Sequence, residues 1–252
     1  MPLIRDTLLV FGRKARLSIR DPAWVIVGLI QPALYLAFLG PLLNRITVPG
    51  QHPGGMWPVF VPGLLIQLGL FGAGFAGLTI ISDVRTGVFE RMRVTPVSRL
   101  ALLFGRVLRD VALLLVQAVV LLLASFAFGL RVQPIAVLIA LLYVVGLAVS
   151  LSSVSYALGL RLRREEALAP MLNAFMVPLM LLSGVILPMS LAPFWLDTLS
   201  SVTPFRYIID GMRAAFAGHL ASHYVWVGFA VSFALVTICV TLGARAFARE
   251  SA

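Results

Sequence analysis

The sequence predicts an all-α polytopic membrane protein: six transmembrane helices, an N-terminal amphipathic interfacial helix, and a short outer re-entrant helical hairpin between the fifth and sixth spans. Three observations lead there. The 252 residues are 60% hydrophobic and 12% charged, with a mean hydropathy of +1.01. A soluble domain carries roughly 25% charged and 45–50% apolar residues, and a disordered chain needs low hydrophobicity, so both classes are excluded. Second, residues 24–43, 57–82, 111–130, 135–159, 168–187 and 224–243 contain no Asp, Glu, Lys or Arg, so all 30 formal charges fall outside these 131 residues. Third, the positive charges are unevenly divided between alternate connections.

Each uncharged run has 20 to 26 residues, enough to cross a hydrocarbon core of about 30 Å as a helix. Helix is also the form in which such a run satisfies its own backbone hydrogen bonds in lipid. With both termini cytoplasmic, the inner segments hold 16 of the 20 Lys and Arg residues; only Arg45, Arg131, Arg206 and Arg213 lie outside. This bias orients the chain. It also answers the nucleic-acid reading that a net charge of +10 raises, because no basic stretch is interleaved with stacking aromatics. The single cysteine, Cys239, excludes an internal disulfide. The charged N-terminus lacks the short apolar core of a cleaved signal peptide, so none is expected.

Residues 3–20 predict an amphipathic helix. Ile4, Leu8, Phe11, Ala15 and Ile19 fall on one side and Arg13, Arg16 and Arg20 on the other, as suits the inner interface. It is either a topology anchor or a surface that docks a partner. Asp21-Pro22 ends it. The outer connection 44–56 is rich in Pro and Gly and reads as a surface loop, and Arg131 and Pro134 bracket a shorter one. The inner segment 83–99, DVRTGVFERMRVTPVSR, has Gly87 and Pro96 around a short helical run. Phe89 and Met92 form an apolar pair beside Arg85, Glu90, Arg91 and Arg93. It reads as a solvated loop or as a short helix that seats in a partner's groove. Arg106 and Asp110 follow at i,i+4 and can pair.

Segment 188–223 predicts two short helices. Thr203-Pro204 reads as cap and first helical residue of the second. Phe205, Ile208, Ile209, Met212 and Phe216 then form an apolar stripe, with Arg206, Asp210 and Arg213 as an ion-pair ladder on another face. The pair forms an outer gate or an interfacial cap.

No catalytic motif is present. Lys14 is the only lysine and does not sit in GxxxxGK[ST], so there is no phosphate loop, and GxSxG is absent. His219 and His223 have the spacing of two zinc ligands but lack a glutamate and a third ligand, so no metal site is expected. The spans hold uncharged polar residues, among them Gln31, Gln67, Gln117, Ser155 and Asn173, suited to helix–helix hydrogen bonds. With no carboxylate or arginine in the uncharged runs, an ion-coupled carrier and an intramembrane acid–base enzyme are both disfavoured.

Amphipathic helix, six spans, inner ERMRVTPVSR and outer LSGVILPMSLAPFWLDTLSSVTPFRYIIDGMR occur in that order. Over about residues 3–245 this resembles the permease subunit of type-2 ATP-binding-cassette exporters, particularly the daunorubicin-resistance-like multidrug branch. The resemblance implies one permease domain over residues 1–252, in a bacterial inner membrane. In it, 3–20 would be a connecting helix and 83–99 a coupling-helix loop, with Phe89, Glu90, Arg91, Met92 and Arg93 seated in a separate ATPase subunit. Residues 188–223 would be outer gate helices, with Phe205, Arg206, Asp210 and Arg213 at the gate. Two permeases, as homo- or heterodimer, and two ATPases would make the exporter. ATP and magnesium would bind the partner, so this chain would be no enzyme and would carry no cofactor.

The resemblance also implies a path along the permease–permease interface, lined mainly by the first, second and fifth spans. Gln31, Tyr35, Gln67, Phe71, Asn173 and Met176 are the candidate lining residues. An apolar path with scattered amides suits small amphipathic drugs or lipids better than ions, which points to multidrug and antibiotic resistance. A glycan or lipid-linked polysaccharide exporter of the same superfamily stays open, as does a non-transporting membrane enzyme or scaffold. A glycan channel should show aromatic belts, whereas 10% of the residues are aromatic.

Overall fold

The computed structural model describes residues 2–20, 23–44, 55–87, 99–185, 189 and 192–249, and every regular element among them is helical. In chain order these are α1 (Pro2–Arg20), α2 (Ala23–Asn44), α3 (Trp57–Gly74), α4 (Gly77–Arg85), α5 (Arg99–Ala127), α6 (Pro134–Leu162), α7 (Glu165–Leu182), α8 (Phe194–Ser200), α9 (Pro204–Phe216) and α10 (His223–Arg249). Five helical units are long and apolar enough to cross a membrane: α3 with α4, α5, α6, α7 and α10. The 22 residues of α2 add a sixth apolar helix of about 33 Å.

The bundle is built around α3 and α6. Phe60, Val61, Leu64, Leu65 and Ile66 of α3 are all buried, as are Ala140, Tyr143, Val144 and Leu147 of α6. The α2 and α5 helices flank α3, while α10 lies along α6. Phe38, Leu123, Phe175 and Phe233 project outward and are more than 60% exposed. A water-soluble surface would not carry so broad an apolar belt, and a bilayer would cover it. Close crossings depend on small residues. A Cβ on Gly63 would lie 1.9 Å from the Val185 carbonyl oxygen, and one on Gly77 would lie 2.1 Å from that of Ser155.

Helix limits depart from the uncharged runs, and three of the departures bear on how the helices pack. The second span is not one rod: α3 ends at Gly74 and α4 begins at Gly77, with a turn at Phe75–Ala76. The freed backbone groups are met from α6, since the Gly77 N–H donates to Ser155 Oγ at 2.8 Å and the Ser155 hydroxyl donates to the Gly74 carbonyl. The third span's helix starts at Arg99 rather than at 111, and so carries Arg106, Arg109 and Asp110. The helix of the fifth span ends at Leu182, and a turn follows at Ser183–Gly184. Charge marks where a helix is costly in lipid, not where its hydrogen bonding stops.

Both short helices expected in 188–223 are present, as α8 and α9. The stripe Phe205, Ile208, Ile209, Met212 and Phe216 is buried against α10, α3 and α6. Thr203 precedes Pro204 at the helix start, but its hydroxyl donates to the Ser200 carbonyl at 2.7 Å rather than capping α9. Phe89, Glu90, Arg91, Met92 and Arg93 lie outside the described residues.

Candidate functional site

Between the spans lies a cavity of ≈ 230 Å³ bounded by α2, α3 with α4, and α5. Gln31 comes from α2, Gln67 and Phe71 from α3, and Gln117 from α5. Gly28 and Gly72 let the helices close around it: a Cβ at Gly28 would lie 2.5 Å from Gln117 Nε2, and one at Gly72 would lie 2.5 Å from Leu114 Cδ2. Phe71 and Phe75 stack along one wall, with ring centroids 6.2 Å apart and planes at 15°. Gln67 is 2% exposed, and its Nε2 has no hydrogen-bond partner. Of the six expected path residues, the cavity thus gathers Gln31, Gln67 and Phe71. Tyr35 sits one turn along α2, where its hydroxyl accepts from Gln31 Nε2 at 3.4 Å. Met176 packs at Gly74 from α7, and Asn173 is exposed on that helix.

Arg109 and Asp110, which directly precede the uncharged run 111–130, line the end of the cavity nearer α1. Arg109 Nη1 donates to Asp110 Oδ1 at 2.8 Å, and Arg109 Nε donates to Ser18 Oγ of α1 at 2.8 Å. The second carboxylate oxygen of Asp110 accepts from the Tyr156 hydroxyl of α6 at 2.5 Å. Beside this pair, Asp83 near the end of α4 receives Lys14 of α1 at 2.5 Å and Arg106 of α5 at 2.7 Å. The Arg106–Asp110 spacing read as a helical pair therefore serves contacts between helices. Burial, then the nearby Arg106 charge, pushes the Lys14 ammonium below its usual range, while the hydrogen bond to Asp83 opposes the shift.

Ile4 and Leu8, on the expected apolar face of α1, are exposed. The sequence reading missed the face that packs on α5. Val10 meets Gly105, while Lys14 and Ser18 continue the same side one and two turns later. The i,i+4,i+8 spacing of Val10, Lys14 and Ser18 was the available signal. At the mouth of the same end, Arg85 lies 3.9 Å from both Glu165 and Glu166 at the start of α7. These exposed pairs contribute little to stability.

At the opposite end, Arg206, Asp210 and Arg213 form the expected ladder only loosely, at 3.7 and 3.9 Å. The closer bonds lead elsewhere. Arg206 Nη2 pairs with Asp197 of α8 at 2.5 Å. Arg213 Nε donates to the Val59 carbonyl of α3 at 3.1 Å, and its Nη2 donates to the Gly184 carbonyl after α7 at 2.7 Å. Burial lowers the Arg213 guanidinium to about 10, opposed by the charge of Asp210. Burial likewise raises Asp210, against the opposing pull of Arg213 and then Arg206. Phe205 is buried beneath this cluster. Among the described residues, no group of three or more His, Cys, Asp or Glu is placed to hold a metal ion.

A bundle of membrane-length helices, with an amphipathic helix docked at one end, a short helical pair at the other and an apolar cavity carrying a few amides between them, defines a polytopic integral membrane protein. The family model described as ABC-2 type transporter matches residues 5–217, and the chain belongs to that family. It is 25% identical over 227 residues to the ycf38 protein of Cyanophora paradoxa, whose name describes a transport permease, covering 89% of this chain and 77% of that one. It is 23% identical over 195 residues to the daunorubicin-resistance ABC transporter permease protein DrrB1 of Streptomyces coeruleorubidus, covering 77% and 69%. It is 25% identical over 193 residues to YbhR of Escherichia coli strain K12, named for a multidrug ABC transporter permease, covering 75% and 50%.

Proposed function

We propose that this chain is the membrane-spanning subunit of an ATP-driven exporter that moves amphipathic drugs or lipid-like compounds out of a bacterial cell. The family match over residues 5–217 carries the reading, because it runs from the amphipathic helix through the outer helical pair. Two copies of a separate ATPase bind the ATP and magnesium, and two permease chains form the path in the inner membrane. The α1 end faces the cytoplasm, in accord with the 16 positive charges assigned to that side. Phe89 to Arg93 seat in the ATPase, and α8 with α9 form the outer gate. The names of DrrB1 and YbhR support drugs as cargo, and the amide-lined apolar cavity suits amphiphiles.

The test is to reconstitute the chain with the ATPase encoded beside it and to measure drug-stimulated ATP hydrolysis and drug uptake into inverted vesicles. Uptake that depends on ATP, and is lost on joint replacement Glu90→Ala and Arg91→Ala, is expected. ATPase binding and coupling that survive that replacement would overturn the coupling assignment. A complex that hydrolyses ATP without moving any amphiphile would overturn the export reading.

A further inference from the structure

We propose that the cavity between α2, α3 with α4, and α5 binds an uncharged amphiphile, whose oxygen accepts a hydrogen bond from Gln67 Nε2 and whose apolar part lies against Phe71 and Phe75. The inference rests on the transport reading and deepens it by naming what this part of the path accepts. Its first support is Gln67 itself. A buried amide donor without a partner costs free energy that folding alone has no reason to spend, and such groups are rare in native proteins. The side chain that carries it lines a cavity of ≈ 230 Å³, several times the ~30 Å³ that a water occupies in the liquid.

The second support is charge. Among the described residues, the ionisable groups on the wall are Arg109 and Asp110, and they pair with each other at 2.8 Å. Tyr156 takes the other Asp110 oxygen and Ser18 takes Arg109 Nε. An ammonium or carboxylate ligand would have to enter an apolar cavity and compete for charges already satisfied, at a large desolvation cost. The remaining polar groups, Gln31, Gln67, Gln117 and the Thr79 hydroxyl, are uncharged. They match hydroxyl, ester or ether oxygens. The stacked Phe71 and Phe75, with Leu68, Leu113 and Leu114, give the apolar remainder of the ligand its wall.

The experiment uses the full chain in lipid nanodiscs without any ATPase. Three photoreactive probes share one diazirine-bearing alkyl chain and differ in the head: a monoacylglycerol, the free fatty acid and the alkyl amine. Labelled peptides are mapped by mass spectrometry under competition with unlabelled monoacylglycerol. Saturable labelling of the 67–79 and 109–117 segments by the glycerol ester is expected. Gln67→Leu should weaken it about tenfold, the worth of one buried hydrogen bond, and Leu113→Trp should abolish it by filling the cavity, with both variants eluting as folded protein. Equal or stronger labelling by the acid or amine, an unchanged Gln67→Leu, or label confined to lipid-facing sites such as Phe38 and Phe233 would overturn the inference. Because no ATPase is present, the two readings fail separately. Cavity labelling without export would sink the exporter and leave the site standing, whereas export without cavity labelling would do the reverse.

Discussion

Replacing Asp83 with asparagine removes a carboxylate of α4 that pairs with Lys14 of α1 and Arg106 of α5. Arg106 is 2% exposed and lies 2.7 Å from the Asp83 oxygen, so most of the cost falls on this guanidinium. Deleting one member of a fully buried ion pair costs about 3–5 kcal/mol, because the other charge stays in a low-dielectric site. Asp83 retains 17% exposure, and asparagine keeps one carbonyl acceptor, so about 2–3 kcal/mol is expected here. Lys14→Met is the internal control. Its side chain is 19% exposed, and burial already disfavours its charge, so its loss should cost less than about 1 kcal/mol. Equilibrium unfolding in mixed micelles, followed by tryptophan fluorescence, measures both. Joint replacement Asp83→Leu and Arg106→Met should recover most of the Asp83→Asn loss, since an apolar pair escapes desolvation. If Asp83→Asn sits within about 0.5 kcal/mol of the parent, or Lys14→Met costs as much, the Arg106–Asp83 pair does not hold this end together.

The same unfolding assay reaches the helix crossings. Gly63→Ala should cost about 1–3 kcal/mol, because its Cβ meets the Val185 backbone at 1.9 Å, whereas Gly12→Ala on α1 meets nothing within 4 Å and should be neutral or stabilising; equal effects would refute the close crossing. Ser155→Ala strips the bridge between the Gly77 N–H and the Gly74 carbonyl and should lose about 1–3 kcal/mol. Hydrogen exchange of the 74–79 segment should rise with it, and unchanged exchange would show that α6 does not support the break. Arg213→Met leaves the Val59 and Gly184 carbonyls without their guanidinium donor and should cost about 2–3 kcal/mol, against less than about 1 kcal/mol for the more exposed Arg206→Gln. The reverse order would place the anchor of the outer pair at Arg206.

The architecture was legible because each part leaves a one-dimensional trace. Absence of charge marks a span, a stripe such as Phe205, Ile208, Ile209, Met212 and Phe216 marks a buried helix face, and Thr203-Pro204 marks a helix start. The helix limits were less legible, because an uncharged run ends at the first charge while hydrogen bonding continues. Helix α5 extends to Arg99 through Arg106, Arg109 and Asp110, since those charges find partners on other helices. The break after Gly74 leaves no charge signal at all. It depends on Ser155, 78 residues away from Gly77, and a serine in an apolar run reads the same whether it serves its own helix or its neighbour's.

The cavity was half legible for a related reason. Gln31, Gln67 and Phe71 stand out as polar or aromatic positions within spans, but the groups that close the site are Arg109 and Asp110, which any charge-based boundary excludes. Their contacts also join distant segments: Arg109 reaches Ser18 across 91 residues and Lys14 reaches Asp83 across 69. Together they show how the second span is held. Arg213 binds its backbone at Val59, Ser155 bridges its break, and Lys14 with Arg106 grips it at Asp83. Val59 and Asp83 are 24 residues apart, about 36 Å along a helix, so the fixed points lie near the two ends and the bend lies at the cavity between them. Helix α1 is therefore bonded directly to Asp83, through Lys14, and to Arg109, through Ser18. Arg109 is itself part of the cavity wall, so hydrogen-bonded groups link α1 to the cavity.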